Sequence, residues 1–350
     1  MSLRARGSGA TLAVVIPAYN AAATLADCLA AVGRSERKPD EIILFDDGSS
    51  DDTANIARAA GIVVLTNGGC AQGPAVGRNY AAAAARSDII VFVDADVAVW
   101  PQALGRLEAP LLSGKAVASF GSYDDRPKSR RLAAVYANLR HHWVHQQGRQ
   151  EAFTFWSGLG AVKADTFHAL GGFDPNFDKP SIEDVEFGIR LIERGGRIQL
   201  VKDAYGTHHK DWGIGQLWST DIFQRAIPWA VLMKSGRGRA DDLNIATRER
   251  ASAVAAHLIL VALLVSLVQP NLWPLLPLAA VAYVGLNLRF FIFLFRSAGL
   301  PGGLAGMFFH WCYHLYASVA YAVVATGLLP LQMRSRIMSI SAGSTQATRP

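Results

Sequence analysis

Between positions 251 and 350 there is not one Asp or Glu, and the only formally charged side chains are Arg289, Arg296, Arg334, Arg336 and Arg349. Three long apolar runs lie in this stretch: 251–268 (ASAVAAHLILVALLVSLV), 272–288 (LWPLLPLAAVAYVGLNL) and 304–329 (LAGMFFHWCYHLYASVAYAVVATGLL). A helix needs about 20 mostly apolar residues to cross a bilayer, and each run is near that length. The pattern predicts an all-α membrane domain of two or three spans at 251–335, followed by a flexible tail at 336–350. Arg237, Arg239, Arg248 and Arg250 precede the first run, so the positive-inside rule places the preceding 250 residues in the cytoplasm, on a multi-pass cell-membrane protein. Three spans would leave Arg334 and Arg336 on the far side, against that rule. A hairpin or a partly interfacial last run avoids this, and both counts stay open.

The first 250 residues hold 29 of the 34 basic residues against all 28 acidic ones, so the basic balance belongs to the tail and no nucleic-acid partner is expected. Arg4 and Arg6 are followed only by the short apolar piece LAVVIP, too short for a signal-peptide core, and no export signal is expected. Cys28, Cys70 and Cys312 are odd in number and form no CxxC pair. That suits a reducing compartment and argues against a disulfide framework or a zinc ribbon.

Short β-branched runs alternate with Ala-rich helical stretches over residues 12–96. Strands are expected at 12–17, 41–47, 62–67 and 88–96, and helices at 22–35, 52–61 and 73–87. This βα repeat predicts an α/β domain with a mostly parallel sheet and right-handed crossovers. Ligands of such sheets bind beyond the carboxyl ends of the strands. The residues there are Pro17-Ala18-Tyr19-Asn20, Asp46-Asp47-Gly48-Ser49-Ser50-Asp51, Asn67-Gly68-Gly69 and Asp94-Ala95-Asp96. No GxxxxGKS loop is present and no GxGxxG follows the first strand, so neither a P-loop enzyme nor a dinucleotide fold is supported.

The strand IIVFV runs straight into Asp94 and Asp96. Side chains two apart on a strand point to one side, so this pair can hold a divalent ion while a diphosphate completes the octahedron. The plainer alternative is a pair of turn acids facing solvent. Asp46 and Asp47 lead into GSSDDT, which reads either as an Asx turn before a capped helix or as a carboxylate accepting the N3 proton of a uracil. Arg78 reads as a surface arginine or as a cation near a nucleotide.

Taken together and in order, VVIPAYNAAATLADCL, EIILFDDGSSDDT, GPAVGRNYAAAAA, VFVDADV, SGLGAVKADTFHALGGFDPNF and SIEDVEFGIRL resemble the family 2 glycosyltransferases, inverting enzymes with a GT-A fold. The resemblance implies a hexosyltransferase-type enzyme with a nucleotide-sugar donor, a divalent metal (Mg or Mn) and a single displacement. By the family's pattern Pro17, Tyr19, Asp47 and Arg78 line the nucleoside pocket, with Asn20 and Asp46 beside them. Asp94 and Asp96 supply the DxD pair, Asp96 as the direct metal ligand. Asp184 becomes the general base, with Glu183 beside it. The competing view of Asp184 is local: Ser181 and Asp184 also spell a capping-box variant at a helix start. His208, after the strand-like IQLVKDAYG, is either structural or a further metal ligand.

The processive synthases of this family carry QxxRW, where this chain has Gln224-Arg225-Ala226-Ile227-Pro228-Trp229. The departure speaks against processive synthesis, although Arg225 remains a candidate for the diphosphate. Leu217, Trp218, Ile222, Phe223, Ile227 and Trp229 read as one side of a Pro228-kinked amphipathic helix, lying either on anionic headgroups or in a domain core. The resulting division is a cytoplasmic GT-A domain at 1–213, an interfacial helix and basic linker at 214–250, and the membrane domain. Such an arrangement suits a lipid or lipid-linked acceptor, with His310 and His314 as headgroup contacts or as packing residues. A polyprenyl-phosphate acceptor and a non-catalytic nucleotide-sugar-binding scaffold are the alternatives.

Overall fold

The computed structural model describes residues 9–209, 211–237 and 247–328. Expectations for Arg4, Arg6, Arg239, Arg334, Arg336 and the 336–350 tail lie outside the described residues. The chain divides into two compact units. Of the described residues, 9–123 and 149–209 form the first, while 124–148 and everything from 211 onward form the second. The second unit thus takes in an internal segment as well as the C-terminal helices.

In chain order the elements begin β1 (Leu12–Ala18), α1 (Ala22–Gly33), β2 (Glu41–Asp46), α2 (Thr53–Ala59), β3 (Val63–Thr66), α3 (Pro74–Ala84) and β4 (Ile89–Val93). They follow the βα alternation of the sequence within a few residues at each end. β5 (Val97–Val99), α4 (Ala103–Leu112), β6 (Ala118–Tyr123), α5 (Leu132–Gln147), β7 (Glu151–Ala152), β8 (Leu159–Lys163), α6 (Ala164–Ala169), α7 (Glu183–Glu193) and β9 (Ile198–His208) come next. The nine strands among the described residues join one sheet in the first unit, in the order β3-β2-β1-β4-β8-β6-β9-β5, with β7 paired to β9. The β1–β2, β2–β3, β1–β4 and β6–β9 pairs are parallel, whereas β8 is antiparallel to both β4 and β6. The short β5 and β7 are also antiparallel to β9, so the sheet is mixed, and its parallel ladders, being longer, hold most of the paired residues. β1, β2, β4 and β9 end on one edge.

β4 is buried on both faces because helices cover the sheet: Ile89 to Val93 are all at most 2% exposed. Leu12, Val14 and Ile16 of β1 join Leu25, Leu29 and Val32 of α1 in the core. The strand stops at Val93, one residue before Asp94. The Val97 N–H donates to Asp94 O at 2.9 Å, which closes a turn over the two acids before β5 reverses. The expectation of one strand over 88–96 is corrected here: Asp94 and Asp96 sit in a turn, and strand alternation does not set their directions.

The second unit contains α5, α8 (Ile214–Ser219), a π-helical segment at Thr220–Ala226, α9 (Ile227–Lys234), α10 (Thr247–Val268) and α11 (Leu275–Thr326). α11 is broken at Gly299 (φ 66°, ψ −172°), a conformation open to glycine, two residues before Pro301, which lacks an N–H to donate. Among the described residues, two stretches, Thr247–Val268 and Pro270–Thr326, are long and apolar enough to cross a membrane by length and composition. Leu267, Leu278 and Val281 on them stand more than 65% exposed. Tyr136, Leu139, Tyr283, Phe290, Leu294 and Phe309 pack as a core inside the unit.

The expected single apolar side over 217–229 is not present. Leu217 and Ile227 are buried while Trp218 and Phe223 are exposed. The π segment widens the turn ahead of Pro228, so residues on either side of it do not share one helical face.

Candidate active site

At the edge where β1, β2, β4 and β9 end, acids gather around one buried cation. Arg78, on α3, donates from Nη2 to Asp94 Oδ1 at 2.6 Å and from Nη1 to Glu183 Oε1 at 2.9 Å. Both Arg78 and Glu183 are about 5% exposed, so their charges depend on each other. Glu183 also accepts the Ser181 N–H at 2.8 Å, which fixes the chain just ahead of α7. Of the two readings of Arg78, the surface arginine is excluded.

Asp184 follows in the first turn of α7. No side chain caps this helix, whose N-cap position is Ile182, so the Ser181–Asp184 capping box is not formed. Asp184 Oδ2 accepts from the Ser157 N–H at 3.0 Å and the Ser157 hydroxyl at 3.2 Å. Burial and the adjacent Glu183 carboxylate push its pKa up to about 7. A carboxylate poised near neutrality at the mouth of a sheet is suited to accepting a proton. Gly188 permits the approach of α7, since a Cβ there would stand 2.4 Å from Phe155 N.

Asp96 meets the end of β9. The antiparallel register pairs Val97 with His208, and His208 Nε2 lies 3.6 Å from Asp96 Oδ2. The imidazole is stacked on Tyr123 at 4.2 Å between ring centroids, and Trp156 meets Tyr123 edge-on at 4.7 Å. Donors bound to one octahedral ion at about 2.1 Å stand between about 3 Å and about 4.2 Å apart, so the Asp96–His208 spacing fits a shared ion. Oδ1 of Asp94 is held by Arg78, and the Asp96 carboxylate with the His208 imidazole offers an oxygen and a nitrogen, donors that suit Mn. Cys28 lies under the turn, donating to Asp94 O, and burial with the Asp96 and Asp94 charges pushes its thiol up, so it stays protonated.

Asp46 and Asp47, both buried, have different tasks. Asp47 accepts from Asn67 Nδ2 (2.9 Å), the Gln72 N–H (2.9 Å) and the Gly73 N–H (2.7 Å), so its two oxygens shape the 67–73 loop. Asp46 accepts the Ser49 N–H through Oδ1 at 3.1 Å, which leaves Oδ2 as the acceptor at this strand end. Asn20, at φ 48°, accepts the Ser50 N–H at 2.8 Å and joins the β1 and β2 ends. Tyr19 stands 57% exposed beside Pro17.

Arg225 belongs to the second unit, where it pairs with Asp221 at 3.0 Å and lies over the Trp212 ring. His310 and His314 are also there, buried, with ligand atoms within 4.8 Å of those of Glu249. Their ring nitrogens already face hydrogen-bond partners: Tyr136 Oη and Asn287 Oδ1 for His310, Tyr283 Oη and Glu249 Oε2 for His314. Ser157, Tyr123 and Trp156 were not singled out from sequence. They lie far from the acids along the chain, and only the sheet register brings them in.

Residues 13–167 match the profile of the family described as Glycosyl transferase family 2. Among curated relatives, the succinoglycan biosynthesis protein ExoU of Rhizobium meliloti is 39% identical over 98 residues, 27% of this chain and 28% of that protein. Validoxylamine A glucosyltransferase of Streptomyces hygroscopicus subsp. limoneus is 25% identical over 298 residues, 71% of this chain and 65% of that enzyme. The chain thus spans less than two thirds of either relative. Among solved structures, the mannosyltransferase PcManGT of Pyrobaculum calidifontis, in complex with GDP-Man and Mn2+, has a TM-score of 0.54 at 19% identity, covering 89% of this chain and 87% of that one. That likeness is one of fold. The family profile and the ordered acids at the strand ends lead to one statement, made of residues 13–167: this part of the chain matches a glycosyl transferase family 2 domain, on a fold of GT-A type.

Proposed function

We propose that this protein is a membrane-anchored inverting glycosyltransferase. It moves a sugar from a nucleotide-diphosphate donor, with a UDP-sugar first to test, to a hydroxyl of a lipid or lipid-linked saccharide. The observation that carries this reading is Asp184, poised near neutrality next to the buried Arg78–Glu183–Asp94 array. Exposed Leu267, Leu278 and Val281 on helices of spanning length support the membrane part. Arg237 ahead of α10, with Arg248 and Arg250 in its first turn, supports a cytoplasmic active site.

Asp46 Oδ2 accepts a base N–H, while Tyr19 flanks the nucleoside. Arg78 holds Asp94 and Glu183 in place, and Asp96 and His208 are the donors that would hold a divalent ion. A divalent ion bound by them supplies Lewis-acid stabilisation of the departing diphosphate. Asp184 takes the proton of the acceptor hydroxyl as its oxygen bonds to the anomeric carbon and the bond from that carbon to the diphosphate breaks. The attack is opposite the leaving group, so configuration inverts.

Membranes containing the protein, given radiolabelled nucleotide sugars with Mn²⁺ or Mg²⁺, test the proposal by the label in the lipid extract. Transfer is expected for the wild type, abolished by a chelator and lost in both Asp96→Ala and Asp184→Ala. Label surviving only in Asp184→Ala would assign a phosphate acceptor, which is ionised already and needs no base. Donor binding without transfer to any acceptor would leave a sensor or scaffold instead.

A further inference from the structure

Three consecutive residues between β7 and β8 touch three parts of the candidate active site. Trp156 meets Tyr123 edge-on at 4.7 Å, and Tyr123 is stacked on His208. Gly158 O accepts the Asp94 N–H at 3.1 Å, which ties the turn of the two acids to the same segment. Between them Ser157, 1% exposed, donates its N–H at 3.0 Å and its hydroxyl at 3.2 Å to a single atom, Asp184 Oδ2. The segment is held from both ends. Phe155 packs in the core against Phe92, Phe120 and Phe187, and a Cβ on Gly160 would stand 2.3 Å from Trp156 O.

A carboxylate oxygen has two acceptor positions. Ser157 fills both on Oδ2, whereas Oδ1 accepts the Val185 N–H at 2.8 Å and no further donor among the described residues. One position on Oδ1 therefore stays open. A serine that only closed the start of α7 would accept a helix N–H. This one donates instead, to the side chain at the site. We infer that Ser157 is a positioning residue for Asp184: it holds Oδ2, so that the acceptor hydroxyl gives its proton to Oδ1. The proton passes as the acceptor oxygen bonds to the anomeric carbon and the bond from that carbon to the diphosphate breaks. The inference rests on the base assignment proposed above and adds the atom that takes the proton and the residue that sets it.

Burial, and then Glu183 beside it on α7, raise the Asp184 carboxyl to about 7, while the Ser157 N–H, Arg78 of α3 and the Val185 N–H pull it down. The Ser157 hydroxyl favours the charged form in the same way, so removing it should raise the carboxyl by about one unit more. Ser157→Ala does this and keeps the backbone N–H. The test uses the full chain in a maltoside detergent for thermal unfolding, and membranes with sugar transfer into the lipid extract for rates. A folded pKa above the unfolded one means stability present at low pH and lost as pH rises through the folded value. That loss ends near pH 7 in the wild type and should continue to about pH 8 in Ser157→Ala. Its transfer rate should fall about tenfold at pH 6 and less than about threefold at pH 9. Ser157→Thr, which keeps the hydroxyl, should bring the wild-type midpoint back. In an Asp184→Asn background, Ser157→Ala should shift no midpoint, because no proton is left to lose. A merely structural serine would lower the rate by one factor at every pH. An unshifted stability midpoint, an equal rate loss at pH 6 and pH 9, or a shift that persists in the Asp184→Asn background would each overturn the inference. An unshifted midpoint with an inactive Asp184→Asn protein would overturn it alone, whereas an active Asp184→Asn protein would overturn the base assignment and this inference together.

Discussion

Replacing Asp184 by Asn removes one proton-accepting group while keeping the shape of the side chain. Burial and the Glu183 charge raise the Asp184 carboxyl from 3.8 to about 7. About a tenth of it is then ionised near pH 6 and about nine-tenths near pH 8, so a rate limited by this base climbs about tenfold across that window. Asp184→Asn should abolish the climb and lower the rate by about a hundred- to ten-thousandfold at pH 8. Stability moves the other way. Because the folded pKa lies above the unfolded one, the wild type loses stability as pH rises from about 4 through about 7, while the variant, having no proton to lose, does not. The Asn protein should therefore melt higher than the wild type at pH 8 and match it near pH 4. Initial rates of transfer against pH, with thermal unfolding of both proteins in detergent, measure both effects. A flat wild-type profile, together with a variant rate within tenfold, would refute the base assignment. Equal melting shifts at both pH values would refute the raised pKa.

Arg78→Met should destabilise the chain by about 3–5 kcal/mol, because it leaves buried Glu183 without its counter-charge. Arg78→Lys should recover only part of this, since an ammonium lacks the planar fork that reaches both Asp94 and Glu183; chemical unfolding compares the two. Gly73→Ala forces a side chain onto a backbone at φ 93° with its Cβ 2.5 Å from Asp178 O. It should cost about 2 kcal/mol or more and weaken nucleotide binding, read by calorimetry with UDP and Mn²⁺. Asp46→Asn should weaken UDP binding with little change in melting temperature, whereas Asp47→Asn should lower both, because only Asp47 holds the 67–73 loop.

The βα order of the first unit was legible because strand and helix periods are local properties, and β1 to β4 fall where the apolar runs lie. The acids at the strand ends were legible for the same reason, since their position follows from where each strand stops. Three matters were not. The separate tasks of Asp46 and Asp47, adjacent and identical in type, depend on a loop that returns twenty residues later. The turn at Asp94–Asp96 depends on β5 pairing with β9, more than a hundred residues away. The split of the 217–229 face depends on a π segment, which changes the period on which a face prediction rests.

The sequence by itself determined the alternation that builds the sheet, the edge of the sheet at which the acids gather and the apolar character of the C-terminal helices. These follow from short-range periodicity and from the cost of placing apolar residues in water. Only the tertiary structure decided which charges meet. Arg78 joins Asp94 and Glu183 across 16 and 105 residues, and Glu249 reaches His314 across 65. Such pairings arise when burial leaves each charge a single partner within reach, and no local pattern records which partner that is.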